Sequence, residues 1–123
     1  MFLLPETVAR QDGVGAEMEV ASKVVRLTLG ITRIIAQESL EVSVWGSEDG
    51  EHWESLMAFP QKFYCGTYSV VLDLARHPYV RYLRAQWRMG RWLPEEHAPL
   101  FEFYLRADDA LLRQAGKVAA YTV

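Results

Sequence analysis

Leu40-Glu41-Val42-Ser43-Val44-Trp45-Gly46, running on into Ser47-Glu48-Asp49-Gly50-Glu51-His52-Trp53, is the stretch whose reading decides the fold. Successive side chains of a β-strand point to opposite faces. Leu40, Val42 and Val44 therefore fall on a buried side, and Glu41, Ser43 and Trp45 on a solvent side. Asp49-Gly50 then supplies the chemistry of a tight turn: a side chain that bonds its own backbone and a residue free to take positive φ. Ser47 adds a side-chain hydrogen bond across the loop. Trp53 places a large apolar body at the start of the returning strand, where it is expected to pin the turn to the core. Ser47, Asp49, Gly50 and Trp53 are thus read as structural residues of one strand–turn–strand unit.

The same period-two pattern recurs on both sides of this unit. Val25, Leu27, Leu29 and Ile31 alternate with Arg26, Thr28 and Gly30. Tyr68, Val70, Leu72 and Leu74 alternate with Ser69, Val71 and Asp73, and Phe101, Phe103 and Leu105 with Glu102, Tyr104 and Arg106. From Tyr79 to Met89, Leu83, Ala85, Trp87 and Met89 share one face and Tyr82, Arg84, Gln86 and Arg88 the other. Val80 is out of phase, which predicts a bulge or a late strand start near Arg81. Segments 53–59 and 17–21 are strand-like with less regular alternation. In the first, neither parity is purely apolar, as expected of a bulged strand or one covered on both sides.

Connections are marked by Gly13, Gly15, Pro60, Gly66, Pro78, Gly90, Pro94 and Pro99. Residues 32–38 leave room for a turn of helix. Asp108 to Ala115 reads as a short C-terminal helix, with Asp108 as cap and Gly116 as stop. For Val118 to Val123 three fates stay open: an edge strand, docking on a partner subunit, or fraying. The expected fold is an all-β antiparallel sandwich, jelly-roll-like, of roughly eight strands. Residues 1–123 form one domain in this reading, with its core at about 17–107 and a C-terminal extension at 108–123.

The 123 residues are half hydrophobic and 24% charged, a globular composition with fifteen aromatics to fill a core. The formal net charge of −3 argues against general nucleic-acid binding, which rests on a basic excess. The opening Met-Phe-Leu-Leu meets Pro5 and Glu6 at once, too short an apolar run for a signal peptide. No stretch approaches the roughly 18 apolar residues of a membrane span. A cytoplasmic or virion-associated location is expected, without membrane attachment.

Catalysis is not expected. His52, His77 and His97 lie far apart and show no paired metal-ligand spacing, so neither a metal nor a cofactor is expected. Cys65 stands alone, without a signature for a neighbouring base, and reads as a half-buried structural cysteine. Glu95-Glu96 are adjacent and diverge, whereas paired glycosidase carboxylates face one another across a cleft. Binding is better supported. The segment Arg88 to His97 joins two strong strands and carries Trp92 among charged groups. Trp92 with Arg91, Glu95 and His97 is a candidate ligand-binding set: the indole stacks on a sugar ring while its polar neighbours take hydroxyls. The same Trp serves equally as an anchor in a protein interface, or folds back to cap an open end of the sandwich. Arg84 and Arg88, with Arg26, Glu41, Glu102 and Arg106, lie on outward faces and are expected to form cross-strand ion pairs.

The turn pattern Ser-x-Asp-Gly-x-x-Trp after an alternating strand resembles the discoidin domains, the coagulation factor 5/8 C-terminal-type or galactose-binding-like group. Val80-Arg81-Tyr82-Leu83-Arg84 resembles that family's later aromatic- and arginine-bearing strand. Short phage and prophage β-sandwich proteins are similar too. They carry the same turn, then an F-x-Q stretch, here Phe59-Pro60-Gln61, and an R-Y-x-R-x-x-W strand, here Arg81 to Trp87. The resemblance covers roughly residues 20–106 and implies a jelly-roll sandwich. It also implies binding of sugars, lipid head groups or proteins through loops at one end. The terminal disulfide common in discoidin domains is missing from a chain with Cys65 alone. The function expected is a non-catalytic interaction or structural module, phage-like, that binds a protein partner or itself. The outward Trp45, the apolar N-terminus and the β-prone tail motivate it. The alternative is a carbohydrate-binding module using the 88–97 loop.

Overall fold

The computed structural model describes residues 1–35, 39–62, 64–90, 99–109 and 121–122. Its strands are β1 (Phe2–Ala9), β2 (Gly13–Val14), β3 (Met18–Glu19), β4 (Val24–Ile35), β5 (Leu40–Ser47), β6 (Glu54–Ala58), β7 (Gly66–Asp73), β8 (Tyr82–Met89), β9 (Leu100–Asp109) and β10 (Tyr121–Thr122). A short 3-10 turn, Leu74–Arg76, follows β7 and is capped by the Asp73 carboxylate accepting from Ala75 N. One sheet, sheet A below, runs β1-β9-β4-β7-β10. The other, sheet B, runs β2-β8-β5-β6, with β3 also on β8. All ladders are antiparallel except β7–β10.

β2 and β3 both pair with β8 and are two fragments of one broken strand. With them merged and β10 set aside as an added edge, ten strands reduce to eight. The two sheets then read first-eighth-third-sixth and second-seventh-fourth-fifth, the strand order of a jelly roll. This is the all-β antiparallel sandwich expected from the alternating runs. Leu27, Leu29, Leu40, Val42, Val44, Leu72, Leu83, Phe101, Phe103 and Leu105 are fully buried between the sheets. Trp87 joins them edge-on to Phe103, with ring centroids 5.5 Å apart, and its indole N–H donates to Gln11 O at 3.0 Å.

Several local expectations are corrected. Residues 32–35 continue β4 rather than starting a helix, and Asp108 and Asp109 extend β9 rather than capping one; 110–120 lie outside the described residues. The N-terminus is a full strand, with Leu3, Leu4 and Ala9 buried, so the core begins well before residue 17. The apolar opening is therefore packed into the fold, apart from Met1 and Phe2, which stay exposed. Pro5 is tolerated because β1 is an edge strand, and register shifts between Phe2 and Leu4 and between Leu4 and Thr7 turn both leucines inward. β8 starts late, at Tyr82, with Val80 packed into the core just before it. In the β5–β6 ladder the register slips between Val44 and Trp45, leaving Leu56 as the extra residue of a bulge. The backbone of Tyr121–Thr122 forms an edge strand on Val70–Val71.

The register also sorts the connections by end. Met89 closes β8 opposite Leu40, and Leu100 opens β9 opposite Ile35, so the 90–99 connection leaves from that end. The Ser47–Trp53 turn lies at the other end, with connections 20–23 and 74–81.

Candidate functional site

Sheet B has two outward rows, exposed or half-buried except at Ser47. β5 contributes Glu41, Ser43, Trp45 and Ser47. β8 contributes Arg88, Gln86, Arg84 and Tyr82, each directly opposite its counterpart in that order. On β2, Val14 pairs with Gln86, falls on the same face and is 55% exposed. Trp45 is half-buried and oriented by its indole N–H, which donates to Ser43 Oγ at 2.9 Å.

Arg84 organises the middle of this face. Its guanidinium carbon sits 4.1 Å from the centroid of the Trp53 ring, a cation–π contact worth about 0.5–2 kcal/mol depending on desolvation. To reach Trp53 it crosses the end of β5, beside Ser47, which is buried to 2% exposure. Trp53 is thus half-buried on the outer face against an arginine, rather than driven into the core. The cause is strand parity: Trp53 enters β6 on the same side as Ser47 and Tyr82.

Arginine brings five N–H donors in a rigid fork, and a buried donor without an acceptor costs free energy. Arg84 Nε is buried and has no hydrogen-bond partner. Neither Arg84 nor Arg88 makes an ion pair among the described residues, although Glu41 stands opposite Arg88. The cross-strand ion pairs expected of these arginines are absent there. Arg84 faces Trp45, and its head is drawn toward Trp53 instead.

The turn at the end of this face is organised around two side chains. Ser47 Oγ accepts from Asp49 N at 3.3 Å and from Gly50 N at 2.8 Å, and its hydroxyl donates to Asp49 Oδ1 at 3.0 Å. Asp49 Oδ1 also accepts from Glu51 N at 2.8 Å and His52 N at 2.9 Å, while Oδ2 contacts His52 Nδ1 at 2.7 Å. Gly50 takes φ 78, which an L side chain resists. The backbone N–H groups of His52 and Glu51, then the His52 ring and Ser47, hold the Asp49 carboxyl far below the usual carboxylate range. Asp49, Glu51 and His52 also bring ligand atoms within 4.8 Å of one another, a grouping that spacing along the chain did not suggest. Both Asp49 oxygens are already engaged in holding the turn. Beside it, the Tyr79 hydroxyl donates to Glu54.

A groove of about 520 Å³ opens between β6 and β7, lined by Met57, Phe59, Pro60, Tyr68 and Val70, with the Lys62 ammonium 3.9 Å above the Tyr68 ring. Partial burial lowers the Lys62 pKa. Cys65 is exposed rather than half-buried.

Of the ligand set expected in the 88–97 loop, Arg91, Trp92, Glu95 and His97 lie outside the described residues. Their approach is fixed by Asp12 Oδ1 accepting from Met89 N at 2.8 Å and by Gly90 N donating to Ser39 O at 2.9 Å. The described flanks of that loop, Met89 and Leu100, lie at the end of the sheets opposite the Ser47–Trp53 turn. The stacked Arg84 and Trp53 were not foreseen as a pair. The available signal was their shared outward parity on strands adjoining β5. No helix among the described residues is long and apolar enough to cross a membrane. Comparison with protein-family models, with curated proteins and with solved structures finds no match to this chain.

Proposed function

We propose that the chain is a non-catalytic interaction module that assembles through protein contacts on the outer face of sheet B, centred on Trp45. One observation carries this reading: Trp45, Arg84 and Trp53 stand side by side on a solvent-facing sheet, with Arg84 lacking any ion-pair partner among the described residues. Trp and Arg are the residue types that dominate binding energy at protein interfaces. The discoidin-like or phage-type character belongs to the same proposal, supported by the Ser47–Trp53 turn and the jelly-roll strand order.

The test compares wild type with Trp45→Ser for self-association by sedimentation and for a co-purifying protein under gentle extraction. A Trp45-dependent association is the expected result. If neither property depends on Trp45, the module does not work through this face. A glycan array with wild type and Trp92→Ala separates the carbohydrate-binding alternative: Trp92-dependent glycan binding, with no protein association, transfers the function to the 88–97 loop.

A further inference from the structure

We infer that the Trp45–Arg84 face is self-complementary and that its occupant is a second copy of this chain, Arg84 of each copy meeting the Ser47–Trp53 turn of the other. The inference rests on the interaction-module reading and names its partner.

A two-fold contact uses one patch twice, so that where residue i touches residue j, j also touches i. The patch must then carry both halves of every attraction. This face does. The cation Arg84 stands in its middle, and the turn that supplies Trp53 to it also supplies Glu48 and Glu51 at its border. Glu17 joins them from the β2–β3 connection, its Oε2 lying 3.2 Å from the position a Cβ on Gly50 would occupy.

Within one copy these charges do not satisfy one another. Arg84 is held back over Trp53, whereas Glu48 and Glu51 are exposed and make no ion pair among the described residues. Asp49 is the exception, committed to the turn's own N–H groups. Side-by-side placement of unpaired cation and unpaired carboxylates is what a two-fold axis through the face converts into two reciprocal ion pairs. The half-buried Trp45 and exposed Val14 supply apolar surface to the same face, and water exclusion there strengthens the ion pairs beside them.

A charge-swap experiment decides it, read by sedimentation from micromolar to near-millimolar protein. Wild type is expected to form a dimer that weakens as salt is raised. Arg84→Glu, and separately Glu48→Arg with Glu51→Arg, each set like charges against each other at both contacts, and each weakens the dimer about tenfold or more. Mixing the two variants restores it, because a mixed pair has one native and one reversed attraction. Thermal melts check that each variant folds. Should Arg84→Glu fail to fold, the neutral pair Arg84→Gln and Glu51→Gln replaces the reversals, and loss of the salt dependence is the expected readout. A strictly monomeric wild type, a dimer indifferent to the reversals, or a mixture that stays monomeric overturns the inference. A monomer that still captures a foreign protein through Trp45 overturns only the second-copy assignment and leaves the module reading intact.

Discussion

On the outer face of sheet A, Arg33 Nε lies 3.1 Å from Glu102, and Arg106 and the N-terminal amine converge on Asp108 at 3.4 and 3.2 Å. Phe2 packs edge-on to Tyr104 with centroids 5.8 Å apart, and Arg106 covers the Phe2 ring at 5.4 Å. Sheet B has the same ingredients, arginines and aromatics in outward rows, but Arg84 and Arg88 have no acidic partner among the described residues. Arg26 is the exception on sheet A, its Nε buried without an acceptor between Val71 and Asp108. Both faces are solvent-facing sheets of one sandwich, so composition does not separate them. What does is whether cross-strand neighbours complete one another. The first face closes on itself, and the second leaves groups whose partners must come from outside.

The largest effect expected follows from the closed face. Gly30 sits in the middle of β4, and a Cβ there would come within 2.2 Å of Cζ of the Tyr104 ring. Gly30→Val therefore displaces the ring and its Phe2 contact, and chemical denaturation should show a loss of about 1–3 kcal/mol. A gain in stability would mean that the ring moves aside freely and that this face is not tightly packed. Trp45→Ser on the open face should change the stability of the isolated monomer by less than about 1 kcal/mol, and Arg84→Gln by no more than its stack on Trp53, about 0.5–2 kcal/mol, since their main contacts lie outside the core. A larger loss would make Trp45 and Arg84 structural residues and erase the contrast. Arg33→Ala removes an exposed ion pair and should cost about 0.2–1 kcal/mol, shrinking as salt is added.

Much of this arrangement was legible from residue order. The parity of β4, β5, β8 and β9 follows from alternation, because each has one face against the core. β1 was not legible: Phe2-Leu3-Leu4-Pro5 does not alternate, since two register shifts bury Leu3 and Leu4 in succession. β2 was obscure because a two-residue fragment is too short to show a period, whereas β3 falls within the strand-like segment 17–21. The turn closes through Ser47 and Asp49 with Gly50 at positive φ, the local chemistry that Asp-Gly encodes, while Trp53 departs from its expected place against the core. Large apolar bodies at strand starts often face the core, and only the register against Ser47 and Tyr82 turns this one outward. The Arg84–Trp53 stack spans three strands, from β8 over β5 to β6, and no local pattern encodes a contact of that kind. The ion pairs expected of Arg84 failed for the same reason: its cross-strand neighbour is Trp45, while its head follows a diagonal.

The two regions also bind their depressed carboxylates differently, and salt separates them. For Asp108, burial acts to raise the pKa but is outweighed by the N-terminal amine and Arg106, which lower it. For Asp49 the backbone N–H groups of His52 and Glu51 do most of the lowering. In each case the folded pKa lies below the unfolded one, so the contribution to stability is present above about pH 4 and is lost as pH falls through the folded value. At neutral pH the contribution is fully present and no longer varies with pH. Mobile ions screen attraction between exposed charged groups but leave short hydrogen bonds to a fixed backbone largely intact. Carboxyl titrations followed by carbon NMR in low and high salt should therefore show Asp108 moving back toward its ordinary value while Asp49 stays depressed. Equal movement of both would assign the Asp49 shift to the His52 ring, whose Nδ1 contacts Oδ2, and titration of His52→Ala would then abolish it. No movement of either would mean that the N-terminal contact on sheet A is as rigid as the turn, and that face would close more firmly than its exposed ion pairs imply.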